Sequence, residues 1–573
     1  MPEADTLSAG LGRPHAWLRD RFVLLSLVLA LLFCVYGMHW GVAESWHPDQ
    51  MVYQNLFQAD QPPLHPPHFL KPPFHTYLSL FLVRAPVYAL SHLFDLPDHY
   101  RRIAELLCAR MLTAILFLGQ IILVFVVSLR FFGLTAARVA ALLLATSAGF
   151  VAFGHFLTVD IPVSFWMLLA FWSAQNILLR GRAQDYVLAG LFTGIATATK
   201  YNGLAIGISI VVAHWLADDR SFPAGSWAAW RHRVLAPRLM IGIGTVVVGF
   251  VLANPFAVLD YSEFVRDFIY NAVTTQYYDG LELQSHYGYW LFFERFGDIF
   301  GIPGAILIGA GTVFAVLRLL LGWPGRLEAS GVAMLAAVLV LYYAYVGSFG
   351  RLPARFVLPV APYGLMLIGP LCAALRPRSL AVILVPILTY NVVCSLAVGW
   401  RLTLDPRMSA RQWIDRHVVA GSSVEFTPNA PNPERFPGKG LDARLFPRMT
   451  GRIRMFQDVL ADDALVMARL GRYEGTDADV SWYTAVDLRT RAPDYIWIDS
   501  NDYEHFLSLP VRQYYPEIAT YYQRLLDEEM DYEIAYDGVS IDTPPWLHPR
   551  EIDFLENRIT ILQRRAQAPP AGP

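Results

Sequence analysis

Charge is scarce in this chain. Lys, Arg, Asp and Glu make up 16% of its 573 residues, against about 25% in soluble globular domains, and that deficit excludes an ordinary water-soluble enzyme. The few charges nearly cancel, at a formal net of −3, so no bulk electrostatic partner such as nucleic acid is implied. Cysteine is scarcer still. Cys34, Cys108, Cys372 and Cys394 all fall in or at the edge of apolar runs, and none lies in the polar C-terminal third. Disulfides are therefore not expected to staple that third, and the four read as small apolar packing residues. Internal repeats and low-complexity tracts are also missing.

What the chain has instead is apolar length. Hydrophobic residues make up 55%, and runs of about 20 recur, each long enough to cross a bilayer core of roughly 30 Å. The first, Arg21 to Trp40, exceeds the apolar core of a signal peptide and reads as an uncleaved span. Arg13, Arg19 and Arg21 place the N-terminus in the cytoplasm, and the next full span runs from Arg110 to Leu129. Between them, Phe74 to Phe94 is apolar but interrupted by Arg84 and Pro86, and is expected as an interfacial helix on the outer surface. The first outer loop then covers residues 42–107. With that choice Arg130, Arg138, Arg180, Arg182, Arg220, Arg318, Arg326, Arg376 and Arg378 all fall in cytoplasmic turns. The expectation is a polytopic α-helical protein of about eleven spans over residues 1–400, in a cell inner (plasma) membrane, with its C-terminus outside.

From Arg401 the composition changes. "DPRMSARQWIDRHV" predicts a helix, and "VSWYTAV", "DYIWID" and "NRITILQRR" predict strands, giving an extracytoplasmic soluble mixed α/β domain over 401–573. The tail "AQAPPAGP" reads as disordered.

The informative residues lie where apolar runs end on the outer side. Asp49 and Lys71 occur in the first loop, His155 and Asp160 in "GHFLTVDIP", Lys200 in "KYNG", and Arg351 and Arg355 in "GSFGRLPARF". Charges so close to hydrocarbon are either paired or functional. Cations there suit a lipid phosphate, and a carboxylate suits an acceptor hydroxyl or amine from which a proton must be taken. A sugar carried on a polyprenyl phosphate combines the two needs, because the departing phosphate develops negative charge that Lys or Arg can stabilise.

"DQMVYQ" followed by "FLKPPFHTY", then "LTVDIPVSFW", "YVLAGLFTGIATATKYNG", "ARFVLPVAPYGLML" and "DPRMSARQWIDRHV" together resemble the C-type (GT-C) glycosyltransferases, in the branch of the protein O-mannosyltransferases and the aminoarabinose (lipid A) transferases. The resemblance covers nearly all of Arg21 to about Val419 and is weak beyond it. It implies inverting transfer from a polyprenyl-phosphate sugar at the extracytoplasmic face, to an acceptor that is protein, lipid or glycan. It also implies Asp49 as base or acceptor contact, Asp160 as the second-loop acid and Lys71 at the donor phosphate. Arg351 or Arg355 matches the family's basic residue before the tenth span. Lys200 and Arg110 are further candidate phosphate ligands. Many members carry Asp-Glu in the first loop where this chain has Asp49-Gln50, so the resemblance carries over no role for a second carboxylate there. Members differ in metal dependence; a divalent metal stays open, and His47, His65 and His68 are not assigned to one.

Each residue has a plainer alternative. Asp49 and Asp160 could cap helices, the cations could anchor at headgroups, and His155 reads as a packing histidine. The aromatic stretch Gln276 to Trp290 is a candidate acceptor groove. The rival function is a transporter or lipid flippase, which would bind its substrate at mid-depth between repeated broken helices; Lys200 to Gly203 is one such break, without a matching half.

Overall fold

The computed structural model describes residues 19–42, 46–47, 49–50, 56–57, 61–217, 231, 233–276, 287–349, 352–447, 449, 451, 453–460, 463–473, 477–509, 511–541, 543–547, 555 and 557–565. Helices dominate. Among the described residues five are long and apolar enough to cross a membrane, the longest Asp98–Ala145, and shorter apolar helices include Arg21–Val35, Tyr201–Leu216 and Pro237–Ala253. The expected second and third spans form one run, Asp98–Ala145, broken at Gly133, whose φ of 85° lets the chain reverse without a steric penalty. The helix Ala183–Thr199 packs so closely on Pro237–Ala253 that a Cβ at Gly194 would lie 2.3 Å from the Val246 carbonyl oxygen. That contact fixes the helix end from which Lys200 projects.

The expected tenth span is not one helix. It is a series of short turns, Ala354–Val357, Ala361–Met366 and Gly369–Ala374. Pro353, Pro359, Pro362 and Pro370 lack the N–H a continuous helix needs, and the segment stands buried among its neighbours. The stretch Phe74 to Leu93 is helical, with a π-helical turn at Leu80–Arg84 just before Pro86.

In the C-terminal region, β1 (Ser423–Phe426), β2 (Asp442–Leu445), β3 (Tyr495–Asp499), β4 (Tyr532–Val539) and β5 (Arg558–Arg564) form one mixed sheet in the order β2-β1-β3-β5-β4. β1 runs parallel to β2 and β3, whereas β5 is antiparallel to β3 and β4. The predicted strands "DYIWID" and "NRITILQRR" are β3 and β5, and the predicted helix is Pro406–His417. "VSWYTAV" is not a strand: it divides between a 3₁₀ turn, Asp477–Tyr483, and the helix Ala485–Arg491, whose start Thr484 caps.

Between the last membrane-length helix and the sheet lies a buried ionic knot. Arg407 donates to Asp405 through Nε (2.9 Å) and Nη2 (2.6 Å), Trp40 Nε1 donates to the same carboxylate (2.7 Å), and the guanidinium lies over the rings of Trp40 and Trp46. Trp40 and Trp46, which precede Asp49 in the chain, are thereby fixed against the root of the C-terminal region.

Candidate active site

Sequence-distant polar residues meet in one cavity of about 310 Å³. Its lining includes Asp49, Lys71, Asp160, Lys200 and Arg355, with Tyr201, Asn202, Phe356 and Phe456 among the neutral residues. Three cations face two carboxylates, a surplus of one positive charge.

Asp49 is the most connected. Lys71 Nζ lies 2.6 Å from its Oδ1 and Arg355 Nη2 3.3 Å from its Oδ2. Burial pushes the Asp49 carboxyl up, but the charges of Lys71 and Arg355 and the Lys71 hydrogen bond outweigh it, holding the group well below the usual carboxylate range. The backbone beneath is set by His47, whose Nδ1 accepts from the Asp49 N–H at 3.1 Å. Burial drives His47 down to about 3, against partial compensation from Asp49, so the ring is neutral and Nδ1 carries the lone pair this bond requires.

Asp160 opens the helix Asp160–Arg180 without capping it. Its Oδ1 instead accepts from Lys200 Nζ at 2.8 Å. Lys200 also lies 4.5 Å from the centroid of Phe356, and the Arg355 guanidinium 6.0 Å from it, so this ring stands next to a cation from each ion pair. Phe356 is held in turn, since its carbonyl accepts from Tyr342 Oη at 2.6 Å, and Tyr342 Oη accepts from Asn202 Nδ2.

Arg110 is not in the cavity lining. It is fully buried and donates to the Met38 carbonyl at 2.7 Å, to the Trp40 carbonyl, and to Gln50 Oε1 at 3.4 Å. Those contacts tie down the start of the loop that carries Asp49. They also give Gln50 a use, since its neutral amide oxygen accepts from Arg110 beside Asp49. Arg351 lies outside the described residues, as does most of Gln276 to Trp290. His155 is a packing histidine: its ring nitrogens lie 2.7 and 2.9 Å from the Val151 and Tyr36 carbonyls. His65 pairs with Asp260 at 3.1 Å. Among the described residues no three His, Cys, Asp or Glu side chains gather as metal ligands.

Sequence reasoning missed a whole wall of the cavity. Tyr270, Asn271, Thr274 and Thr275 line it from the helix Tyr261–Gln276, and Phe456 comes from the C-terminal helix Ile453–Leu460. The hydroxyls of Thr274 and Thr275 donate to the Tyr270 and Asn271 carbonyls, leaving oxygen lone pairs as their remaining bonding capacity. The available signal was a helix-length polar stretch directly after an apolar run; nothing in it marked which face met the cavity.

Residues 104–234 match the family model described as dolichyl-phosphate-mannose-protein mannosyltransferase. No curated protein matches the chain. Among solved structures it is similar to ArnT from Cupriavidus metallidurans bound to undecaprenyl phosphate, with 13% identity and a TM-score of 0.48 over 98% of this chain and 100% of that one. For the apo state of that ArnT the values are 14% and 0.47, over 94% and 97%. The Archaeoglobus fulgidus oligosaccharyltransferase in its apo form is similar at 13% identity and a TM-score of 0.40, over 72% of this chain and 63% of that one. The family match, over residues 104–234, agrees with the protein O-mannosyltransferase branch of the resemblance drawn from the sequence.

Proposed function

We propose that this protein moves a sugar from a polyprenyl-phosphate carrier to an acceptor hydroxyl or amine at the extracytoplasmic face of an inner membrane. One observation carries the reading: five charged side chains from four separate stretches line a single cavity and leave it one positive charge in excess. A lipid phosphate supplies the missing anion.

The chemistry follows from the pairing. With both Lys71 and Arg355 on it, Asp49 is a weak base. A phosphate arriving between those cations draws them away, and the carboxylate gains basicity only when donor is present. The acceptor then attacks the anomeric carbon from the face opposite the phosphate. The bond from that carbon to the phosphate oxygen breaks, its electron pair leaves with the polyprenyl phosphate, and the acceptor proton passes to Asp49. Configuration inverts. Asp160, held by Lys200, orients the sugar or the acceptor. Undecaprenyl phosphate, bound in the similar structure of Cupriavidus metallidurans ArnT, is the donor carrier this reading adopts. The exposed apolar side chains of Phe81, Leu82, Tyr88 and Leu93 after the Lys71 loop suit a ligand whose chain stays in lipid.

A flippase would need the phosphate chemistry but not the carboxylate. The decisive experiment is lipid and glycan profiling of a strain lacking the protein. A polyprenyl-phosphate sugar should accumulate and one decorated product should vanish, both restored by the wild-type chain and neither by Asp49→Asn. An unchanged lipid pool, or rescue by Asp49→Asn, would refute the transferase reading.

A further inference from the structure

Lys71 sits in a loop, with its side chain half exposed, yet the two residues before it are held as if in a core. Phe69 is fully buried, and both its backbone polar atoms are taken by side chains. Its N–H donates to Asp267 Oδ2 at 2.8 Å, and its carbonyl accepts from Tyr201 Oη at 2.6 Å. Its ring meets Phe264 edge-on at 5.7 Å. Leu70 packs into an apolar cluster made by Tyr270 with Met455, Phe456 and Val466 of the C-terminal region. Pro72 and Pro73 follow, with φ fixed by their rings.

Asp267 is itself completely buried, which a carboxylate tolerates only when paired and hydrogen-bonded. Its partner is Arg469, 3.3 Å from Oδ1, on the C-terminal helix Ala464–Tyr473. Arg469 also binds both oxygens of Glu263, one turn earlier on the same helix as Asp267. A line of contacts thus runs from Arg469 through Asp267 to the backbone two residues from Lys71.

We propose that Asp267 is a positioning residue for Lys71, and that the C-terminal region, through Arg469 and the cluster that seats Leu70, sets the affinity for the donor phosphate. An ammonium on a four-carbon stem is a flexible point charge. Anchoring the backbone before it and stiffening the backbone after it confines that charge to the cavity, so the ordering entropy is spent in folding rather than in donor binding. This rests on the reading of Lys71 as a phosphate ligand.

The test titrates undecaprenyl phosphate into the full-length protein in lipid nanodiscs. Lys71→Met is the control and should lose affinity. Asp267→Leu should lose roughly tenfold, the scale of one displaced charged contact, with KM for the donor rising and kcat at saturation held. Asp267→Asn keeps an oxygen for the Phe69 N–H and should retain most of the affinity. Arg469→Met, outside the cavity, should fall between the two. Hydrogen exchange over residues 64–75 should quicken in Asp267→Leu and Arg469→Met. Wild-type affinity in both of those variants, with Lys71→Met impaired, overturns the positioning role and leaves the proposed function standing. If Asp267→Leu does not fold, Arg469→Met and its exchange pattern decide the matter alone. Wild-type affinity in Lys71→Met overturns the phosphate reading and this inference together.

Discussion

Asp49 and Asp499 are both carboxylates near an arginine, and they titrate in opposite directions. At Asp49, two cations in close contact overcome burial and push the group down. At Asp499, fully buried at the end of β3, burial wins and pushes it up, because Arg407 stands 4.0 Å away and spends its fork on Asp405. The surroundings differ in the same sense. The Asp405–Arg407 pair is closed, bidentate and only 0% and 1% exposed. The Asp49–Lys71 pair has one contact and leaves 49% of the lysine side chain open. Charge near hydrocarbon therefore marks two kinds of place, a tie and a socket, and unfilled space beside the pair tells them apart.

Breaking each pair should expose that difference. Asp49→Asn should reduce transfer about 10²- to 10⁴-fold, the usual share of a positioned base, while the thermal midpoint in detergent hardly moves. Activity near wild type would put Asp49 with the ties. Arg407→Met should do the reverse. Stranding Asp405 in the interior should remove about 3–5 kcal/mol of stability, read as a lower thermal midpoint and loss of monodisperse protein, and an unchanged midpoint would reclassify the knot.

Asp49 and Lys71 were legible because a carboxylate and a proline-flanked lysine beside an apolar run have few ordinary explanations; Asp160, Lys200 and Arg355 stood out for the same reason. Arg110 gave the same signal and faces the opposite way, into the Met38 and Trp40 carbonyls, since sequence shows where a charge lies along the chain and not where it points. Asp267 and Arg469 gave no signal at all. Their partners are about two hundred residues distant, and each looks like an ordinary solvated charge on an amphipathic helix. The breaks within the expected tenth span, Phe356 to Leu375, have a physical reason: its hydropathy is that of a span, but Pro359, Pro362 and Pro370 interrupt the continuous ladder of hydrogen bonds.

A smaller effect concerns pH. His47 is neutral in the fold, with a pKa near 3 against an ordinary 6.5, so between those values the unfolded chain binds the extra proton and stability falls with falling pH. The lowered Asp49 acts in the same direction at more acid pH. Going from pH 7 to pH 5 should remove about 2 kcal/mol through His47, and His47→Gln should flatten that dependence in thermal melts. The smallest expected change is the stability of Lys71→Met. An exposed pair contributes about 0–1 kcal/mol, so its midpoint should match wild type even as donor binding collapses. A large drop would make Lys71 a tie after all.

Phe356 carries one more implication. Its ring lies 4.5 Å from the Lys200 ammonium and 6.0 Å from the Arg355 guanidinium, and an aromatic face attracts a cation whatever the pH. Where the two ion pairs come nearest, the cavity is lined by a group that has no proton to lose.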